Sequence, residues 1–351
     1  MIFDSFKIST PWKAKTLNSP RYNWSYDEIS TIYDFPLLDL VYRAATIHRN
    51  NFDPTKIQLS KLVSIKTGGC PEDCSYCPQA ARYNTGIKRH NLMNIKNVLS
   101  TAQEAKTNGA SRLCLGAAWR EVKNGKDFDQ VIEMVKGVCS LGMEVCCTLG
   151  MLNEAQASKL KEAGLYAYNH NLDTSQDHYK KIITTRSQNN RHETLKNVRS
   201  SGLTVCCGGI IGLGENKSDR INLILSLSKL TPHPESIPIN TLVAVKGTPL
   251  ENAPSVDDDL LIRMVATTRI VLPKSYVRLS AGRKKRSEST QALCFLAGAN
   301  SIFVGDKLLT QENPSLQNDL DMLKKFGLSA QEPFIKDNSN TWDMRRQSVP
   351  C

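Results

Sequence analysis

From Leu62 onward the chain repeats one alternation. A short run of branched apolar residues is followed by a longer stretch whose apolar positions recur three and four apart. Short runs rich in Val, Ile and Leu predict buried strands, and the 3.6-residue period predicts amphipathic helices. The predicted strands are 62–66, 112–116, 144–149, 165–173, 203–210, 237–243, 276–280 and 301–304. Helices between them run into Gly109, Gly142, Gly164 and Gly202, where a left-handed residue closes a helix. Ser25, Asn153 and Ser218 are the predicted N-caps. Eight strand-then-helix units predict a parallel sheet closed as a TIM-type (β/α)8 barrel. An open doubly wound sheet shares the alternation, but no dinucleotide-binding glycine fingerprint opens the first helix. The expected organisation is an N-terminal extension over 1–50, a barrel over 51–327 and a polar, irregular tail over 328–351. The extension carries a helical stretch at 26–50, interrupted at Pro36.

Alternation within the strands sorts side chains by face. Leu113 and Leu115 form the apolar face of the second strand, so Arg112, Cys114 and Gly116 point into the barrel. The same test puts Glu144, Cys146 and Thr148 inside, with Cys147 outside. Thr204 and Cys206 fall inside with Cys207 outside, and Tyr276, Arg278 and Ser280 fall inside. Three inward cysteines therefore share the lumen with one arginine. Free cysteine often packs simply as a small hydrophobe, but a buried guanidinium needs acceptors or anions. In the fourth strand Asn169, Asn171 and Asp173 share a face, opposite Tyr168, His170 and Leu172. Polar groups at the C-terminal end of a barrel strand are placed for ligands, amides offering donors and acceptors together. Asn240 is likewise inward. His170, on the other face, reads as a packed structural histidine.

One stretch lies outside the alternation: Thr67-Gly68-Gly69-Cys70-Pro71-Glu72-Asp73-Cys74-Ser75-Tyr76-Cys77-Pro78. Its glycines and prolines exclude helix and central strand. The loop that remains can bring three thiolates together. A structural zinc ion takes four closed ligands. A cubic iron–sulfur cluster held by three cysteines keeps one iron open for a substrate or cofactor. A zinc knuckle with a distant fourth ligand, or three unrelated thiols, is the alternative.

Composition adds limits. The chain has 351 residues, 40% of them hydrophobic and 23% charged, as an ordinary globular protein does. Its eleven cysteines are not spaced as a disulfide framework. No run of about 18 apolar residues predicts a membrane span, and no signal peptide opens the chain. The expected compartment is the cytoplasm, with a mitochondrial one left open. The net charge of +11 suits an acidic partner. Solvated surface lysines account for it better than nucleic-acid binding does. The basic run Arg283–Arg286 is a solvated loop or a docking patch for an acidic electron carrier.

The spacing of Cys70, Cys74 and Cys77, with Tyr76 before the last, resembles the cluster motif of radical S-adenosylmethionine enzymes. The wider string GGCPEDCSYCPQ resembles the biotin synthase family. RLCLGAAW, VCCTLG, VCCGGIIGLGE, SYVRLSAGR and YNHNLDT resemble it too. The resemblance spans about 30–330. It implies a [4Fe–4S] cluster on Cys70, Cys74 and Cys77, whose open iron chelates S-adenosylmethionine. It also implies a [2Fe–2S] cluster on Cys114, Cys146 and Cys206, with Arg278 as an unusual fourth ligand. Arginine stays protonated and is by itself a poor ligand, so that role comes from the resemblance alone. Tyr76, Asn171 and Asp173 are implied as cofactor contacts. Asn169, Asn171 and Asn240 are implied as contacts to dethiobiotin. The glycine-rich stretch Gly208–Glu215 resembles the segment beside the S-adenosylmethionine site. The implied reaction is radical insertion of sulfur into dethiobiotin, the sulfur coming from the second cluster. A flavodoxin or ferredoxin type electron donor and a homodimer follow from the same resemblance, with no nucleic acid and no membrane. A radical enzyme with the loop cluster alone, and a non-catalytic iron–sulfur or zinc protein, are the competing readings.

Overall fold

The computed structural model describes residues 19–333. Ser25 opens α1 (Tyr26–Tyr33) with a reciprocal cap. Its hydroxyl accepts from Glu28 N at 3.2 Å, and Glu28 Oε2 accepts from Ser25 N at 2.9 Å. Pro36 separates α1 from α2 (Leu37–Asn51), as the interrupted periodicity predicts.

The barrel strands are β1 (Lys56–Lys66), β2 (Arg112–Ala117), β3 (Glu144–Thr148), β4 (Ala167–Asn169), β5 (Thr204–Cys206), β6 (Gly209–Ile211), β7 (Ser236–Thr241), β8 (Tyr276–Leu279) and β9 (Ser301–Val304). Every pairing among them is parallel. Pairing of β1 with β9, from Gln58↔Ser301 to Lys61↔Val304, closes the ring. β5 and β6 share one place in it, which leaves eight positions. The helices are α3 (Ile95–Thr107), α4 (Lys126–Ser140), α5 (Glu154–Glu162), α6 (Gln176–Ile182), α7 (Gln188–Ser200), α8 (Lys217–Ser228), α9 (Asp258–Val271), α10 (Glu288–Leu296) and α11 (Leu316–Lys325). A hairpin of β10 (Lys307–Leu308) and β11 (Gln311–Glu312) follows β9. No helix among the described residues is long and apolar enough to cross a membrane.

Gly109, Gly142, Gly164 and Gly202 all have positive φ just past their helices. The fifth predicted strand is split. Gly208, between the halves, lies where a Cβ would come within 2.1 Å of Pro238 O, and Pro238 offers β7 no N–H at that point. The fourth strand is shorter than expected and ends at Asn169, while the first begins six residues earlier, at Lys56. The cap of α8 is Asn216 rather than Ser218, because Asn216 and Asp219 form the reciprocal pair and Ser218 falls inside the first turn. The tail does not start as irregular chain. β12 (Ser329–Ala330) pairs in parallel with Lys56 and Ile57. The remainder of the tail from 334, and 1–18 of the extension, lie outside the described residues.

The two faces of the sheet hold different cores. Leu113, Leu115, Val145, Cys147, Val205, Cys207, Val277 and Leu279 pack outward with the helices. Cys114, Cys146 and Cys206 pack inward with Tyr166, Tyr276 and Phe303. The inside–outside assignment of both adjacent cysteine pairs therefore holds.

Candidate functional site

The loop cysteines are shaped by local backbone. Cys70 N donates to Gln79 O at 3.0 Å, Ala81 N returns a bond to Cys70 O at 2.7 Å, and Cys77 N donates to Cys74 O at 2.9 Å. Gly68 and Gly69 both have φ of 72°, a conformation that glycine adopts without a Cβ clash. The acids inside the loop serve as anchors. Asp73 Oδ1 accepts from Thr184 N at 2.9 Å and Thr185 N at 3.1 Å, and Oδ2 accepts from the Thr184 hydroxyl. Burial pushes the Asp73 carboxyl up, but these bonds outweigh it and hold the group at about 2. Glu72 accepts from the Thr185 hydroxyl through Oε2. Its buried Oε1 has no hydrogen-bond partner, only the guanidiniums of Arg120 and Arg186 at 3.7 Å.

Burial raises the Cys74 thiol to about 12 and the Cys77 thiol to about 11. Cys70 is half-buried and is also pushed up by burial. All three are free thiols. Without a cationic partner the loop therefore keeps them protonated. A metal centre that binds thiolates removes that penalty. Among the described residues no group of three or more His, Cys, Asp or Glu side chains is spaced to hold a single metal ion.

The barrel set is built by register. Cys114 stands opposite Cys146 across β2 and β3, and Cys206 stands opposite Asn169 across β4 and β5. Cys146 interacts with both of the other two thiols. Bonding to Cys146 lowers Cys114 and Cys206, Arg278 lowers both further, and Cys146 is raised in return. The Arg278 guanidinium donates to Ser301 Oγ at 2.8 Å, Gln58 Oε1 at 3.1 Å and Ser60 Oγ at 3.3 Å. Its Nη1 lies 3.9 Å from Cys206 Sγ. Its carbon sits 4.7 Å above the Phe303 ring. No carboxylate pairs with it among the described residues, although Arg278 is fully buried. Glu144, the nearby acid, is taken by Arg112 at 2.7 Å. A buried cation that reaches the Cys206 sulfur and has no counter-ion among the described residues fits an anionic thiolate–sulfide centre.

The three loop cysteines line one cavity with Cys114 and Cys146 of the barrel set, Tyr76, Asn169, His170, Asn171, Asp173, Asn240 and Arg278, and Cys206 lies behind Asn169 and Arg278 of that wall. Asn169 Nδ2 donates to Asn171 Oδ1 at 3.1 Å and lies 3.3 Å from Cys206 Sγ. Asn171 Oδ1 also accepts from Gly208 N at 3.1 Å, and among the described residues its Nδ2 has no protein partner. Asn240 is held at both ends by backbone, donating to Gly209 O at 3.0 Å and accepting from Ala281 N at 3.1 Å. Asp173 has a φ of 67°, an uncommon left-handed conformation that aspartate tolerates. Its Oδ2 accepts from Tyr76 Oη at 2.9 Å and pairs with the buried Arg191 guanidinium. The expected shared face survives, although past Asn169 it belongs to a loop rather than a strand. His170 departs from expectation in part. It is buried against Tyr168 but also reaches the cavity, where burial keeps it neutral and its Nε2 is unpartnered. The glycines of Gly208–Glu215 serve close backbone approach. A Cβ on Gly209 would lie 2.7 Å from Asp173 O, and Glu215 caps the loop through Gly212 N at 3.0 Å.

Arg191, Arg186, Gln58 and Ser301 were not singled out from the sequence. Arg191 did carry a signal. It shares the buried stripe of α7 with Thr194, Leu195 and Val198, and a charge on an apolar stripe marks a specific partner.

Comparison with known proteins adds two domain matches. The Radical SAM superfamily matches residues 64–227, and the Biotin and Thiamin Synthesis associated domain matches residues 238–329. A biotin synthase from Flavobacterium johnsoniae is 60% identical over 316 residues, which is 90% of this chain and 87% of the relative. One from Cytophaga hutchinsonii is 59% identical over 330 residues, covering 94% and 97%. Among solved structures, methylornithine synthase superposes with a TM-score of 0.76 at 19% identity over 91% of this chain and 96% of its own. A maturase of the [FeFe]-hydrogenase gives 0.76 at 16% identity, over 91% and 73%. These two similarities speak for the fold alone.

Proposed function

Because the chain belongs to the biotin synthase family, we propose that its two cysteine sets hold two iron–sulfur centres around one substrate cavity. The enzyme is of the radical S-adenosylmethionine class and inserts sulfur into dethiobiotin to form biotin. The finer reading assigns a [4Fe–4S] centre to Cys70, Cys74 and Cys77. It assigns a [2Fe–2S] centre to Cys114, Cys146 and Cys206 beside Arg278. The observation that carries it is the convergence on one cavity of the loop cysteines, of Cys114 and Cys146, and of a guanidinium without a counter-ion that reaches back to Cys206.

Cys70, Cys74 and Cys77 would hold a centre able to supply the electron for cleavage of S-adenosylmethionine, and Cys114, Cys146 and Cys206 one able to supply sulfur; saturated carbons have no acidic proton for a base to take. The chain's own residues do the positioning. Asp173, fixed by Tyr76 and Arg191, presents a carboxylate that can accept from ribose hydroxyls. The amides of Asn169, Asn171 and Asn240 offer donors and acceptors matched to a ureido ring. The lone Nδ2 of Asn171 and the unpartnered Oε1 of Glu72 are open valences on the cavity wall. The apolar walls around Cys114 and Phe303 exclude water from reactive species. Arg278, pinned by Gln58, Ser60 and Ser301, holds its charge beside the Cys206 sulfur.

A flavodoxin or ferredoxin type donor, a homodimer and a cytoplasmic setting belong to the same reading, supported by family membership. The test is anaerobic reconstitution with iron and sulfide, then dithionite, S-adenosylmethionine and dethiobiotin. The reading expects 5′-deoxyadenosine and biotin together. Cleavage without any biotin would favour a radical enzyme with the loop centre alone, and no cleavage would favour a non-catalytic protein.

A further inference from the structure

The basic run Arg283–Arg286 is mostly spent inside the fold. Arg283 is buried and bonds both oxygens of Asp319, at 2.6 and 2.7 Å. Arg286 reaches Asp258 at 2.7 Å, and Lys284 reaches Glu312 at 2.6 Å. A different basic surface covers the cluster loop. Between Thr67 and Lys96 the only acids are Glu72 and Asp73. Both are buried and turned to Thr184, Thr185 and the arginines around them. Arg82, Lys88 and Arg89 of the same stretch are exposed, Arg82 while reaching in to Asp73 at 3.1 Å.

The packing ties these charges to the cysteines. Thr67 and His90 exchange backbone bonds, Thr67 N to His90 O at 3.3 Å and His90 N to Thr67 O at 3.0 Å. The Arg89 stem lies across the glycines that lead into Cys70, its Cγ 3.2 Å from where a Cβ on Gly68 would stand. On the other side, a Cβ on Gly247 would lie 2.1 Å from Asn84 O. The loop carrying exposed Lys246 is therefore seated against the 82–90 segment. Among the described residues Lys88, Arg89 and Lys246 have no ion pair. The one acid beside them, Glu251, accepts from Gly247 N at 2.7 Å. Cys70, the cysteine next to these glycines, is half-buried where Cys74 is buried.

We propose that Arg82, Lys88, Arg89 and Lys246 form the docking surface for a small acidic one-electron carrier protein, placed over Gly68–Cys70. The inference rests on the loop cysteines holding a redox centre. Each docking passes one electron, lost by the reduced carrier and gained by that centre, with no bond made or broken at the surface. Positive charge in excess of the single exposed acid beside it, Glu251, steers an acidic partner and sets its orientation.

The test uses the reconstituted full chain and its Lys88→Glu/Lys246→Glu variant, which leaves the packing on Gly68 and Gly69 untouched. The probe is an acidic flavodoxin. Its Kd is measured at low and at physiological salt. The rate of 5′-deoxyadenosine formation is measured with reduced flavodoxin and, separately, with dithionite. The variant is expected to bind flavodoxin about tenfold more weakly at low salt, with a flatter salt dependence. The flavodoxin-supported rate falls with it, and the dithionite-supported rate stays. Unchanged Kd overturns the proposal, whether or not either rate changes. Tighter binding of a DNA duplex than of flavodoxin to the same surface overturns it as well. A wild-type chain inactive even with dithionite would strike the function reading instead, and the Kd comparison would still decide the docking.

Discussion

The cluster loop and the inner face of the barrel each gather three cysteines, by different physical means. In the loop, spacing does the work. Cys70, Cys74 and Cys77 lie within eight residues, and turns and glycines bend the backbone until they converge. In the barrel, Cys114, Cys146 and Cys206 are 32 and 60 residues apart by their numbers, and strand register brings them together. The electrostatics differ in the same sense. The loop thiols are all pushed up by burial. In the barrel, Cys146 and then the fixed Arg278 guanidinium lower two of the three thiols. The loop half-exposes a cysteine to a basic surface, which suits a centre that takes electrons from outside. The barrel encloses its cysteines at 3% exposure or less, which suits a centre that must meet only substrate.

The largest break in this comparison comes from the loop. Cys74→Ala should abolish 5′-deoxyadenosine formation with dithionite, as read by chromatography, while visible absorption from the barrel centre remains. Next come the adjacent pairs. Cys146→Ser and Cys206→Ser should lose the second centre and biotin formation but keep cleavage of S-adenosylmethionine. Cys147→Ser and Cys207→Ser, whose side chains pack outward, should keep both centres by iron and sulfide analysis. If the second member of either pair proves essential, the register assigned to that strand fails.

A third break is structural. Arg112→Met leaves Glu144 buried with its ion-pair partner gone, a loss of about 3–5 kcal/mol. Urea unfolding of the unreconstituted chain should show it as a lower midpoint, and an unchanged midpoint would show that the pair is dispensable. The smallest effect is Asp173→Asn, which keeps shape and removes the charge facing Tyr76 and Arg191. A lost hydrogen bond of about 1–3 kcal/mol corresponds to roughly tenfold or more weaker binding of S-adenosylmethionine. Both centres should stay intact. Titrating each ligand separately checks the roles, and loss of dethiobiotin affinity alone would reverse them.

The comparison also explains what could be read from the sequence. Local rules carried the loop, the helix ends at Gly109 and Gly202, and the inward face of Cys114, Cys146 and Cys206. Alternation reports which face a side chain takes. It does not report what that side chain meets across a barrel. Gln58 and Ser301 on Arg278, and Thr184 and Thr185 on Asp73, therefore stayed invisible. Each of these contacts joins residues more than 20 positions apart. The split after Cys206 escaped because its cause, Pro238, lies on another strand. Arg191 stood on the apolar stripe of α7, where its charge could have been noticed.

The central claim is that the two cysteine sets hold two separate and different centres. Mössbauer spectroscopy of the chain reconstituted with iron-57 tests it most directly, on wild type, Cys74→Ala and Cys206→Ser in parallel. The account predicts two quadrupole doublets in the wild type, loss of the [4Fe–4S] component alone in Cys74→Ala, and loss of the [2Fe–2S] component alone in Cys206→Ser. A single component in the wild type, or one that disappears in both variants, would contradict it.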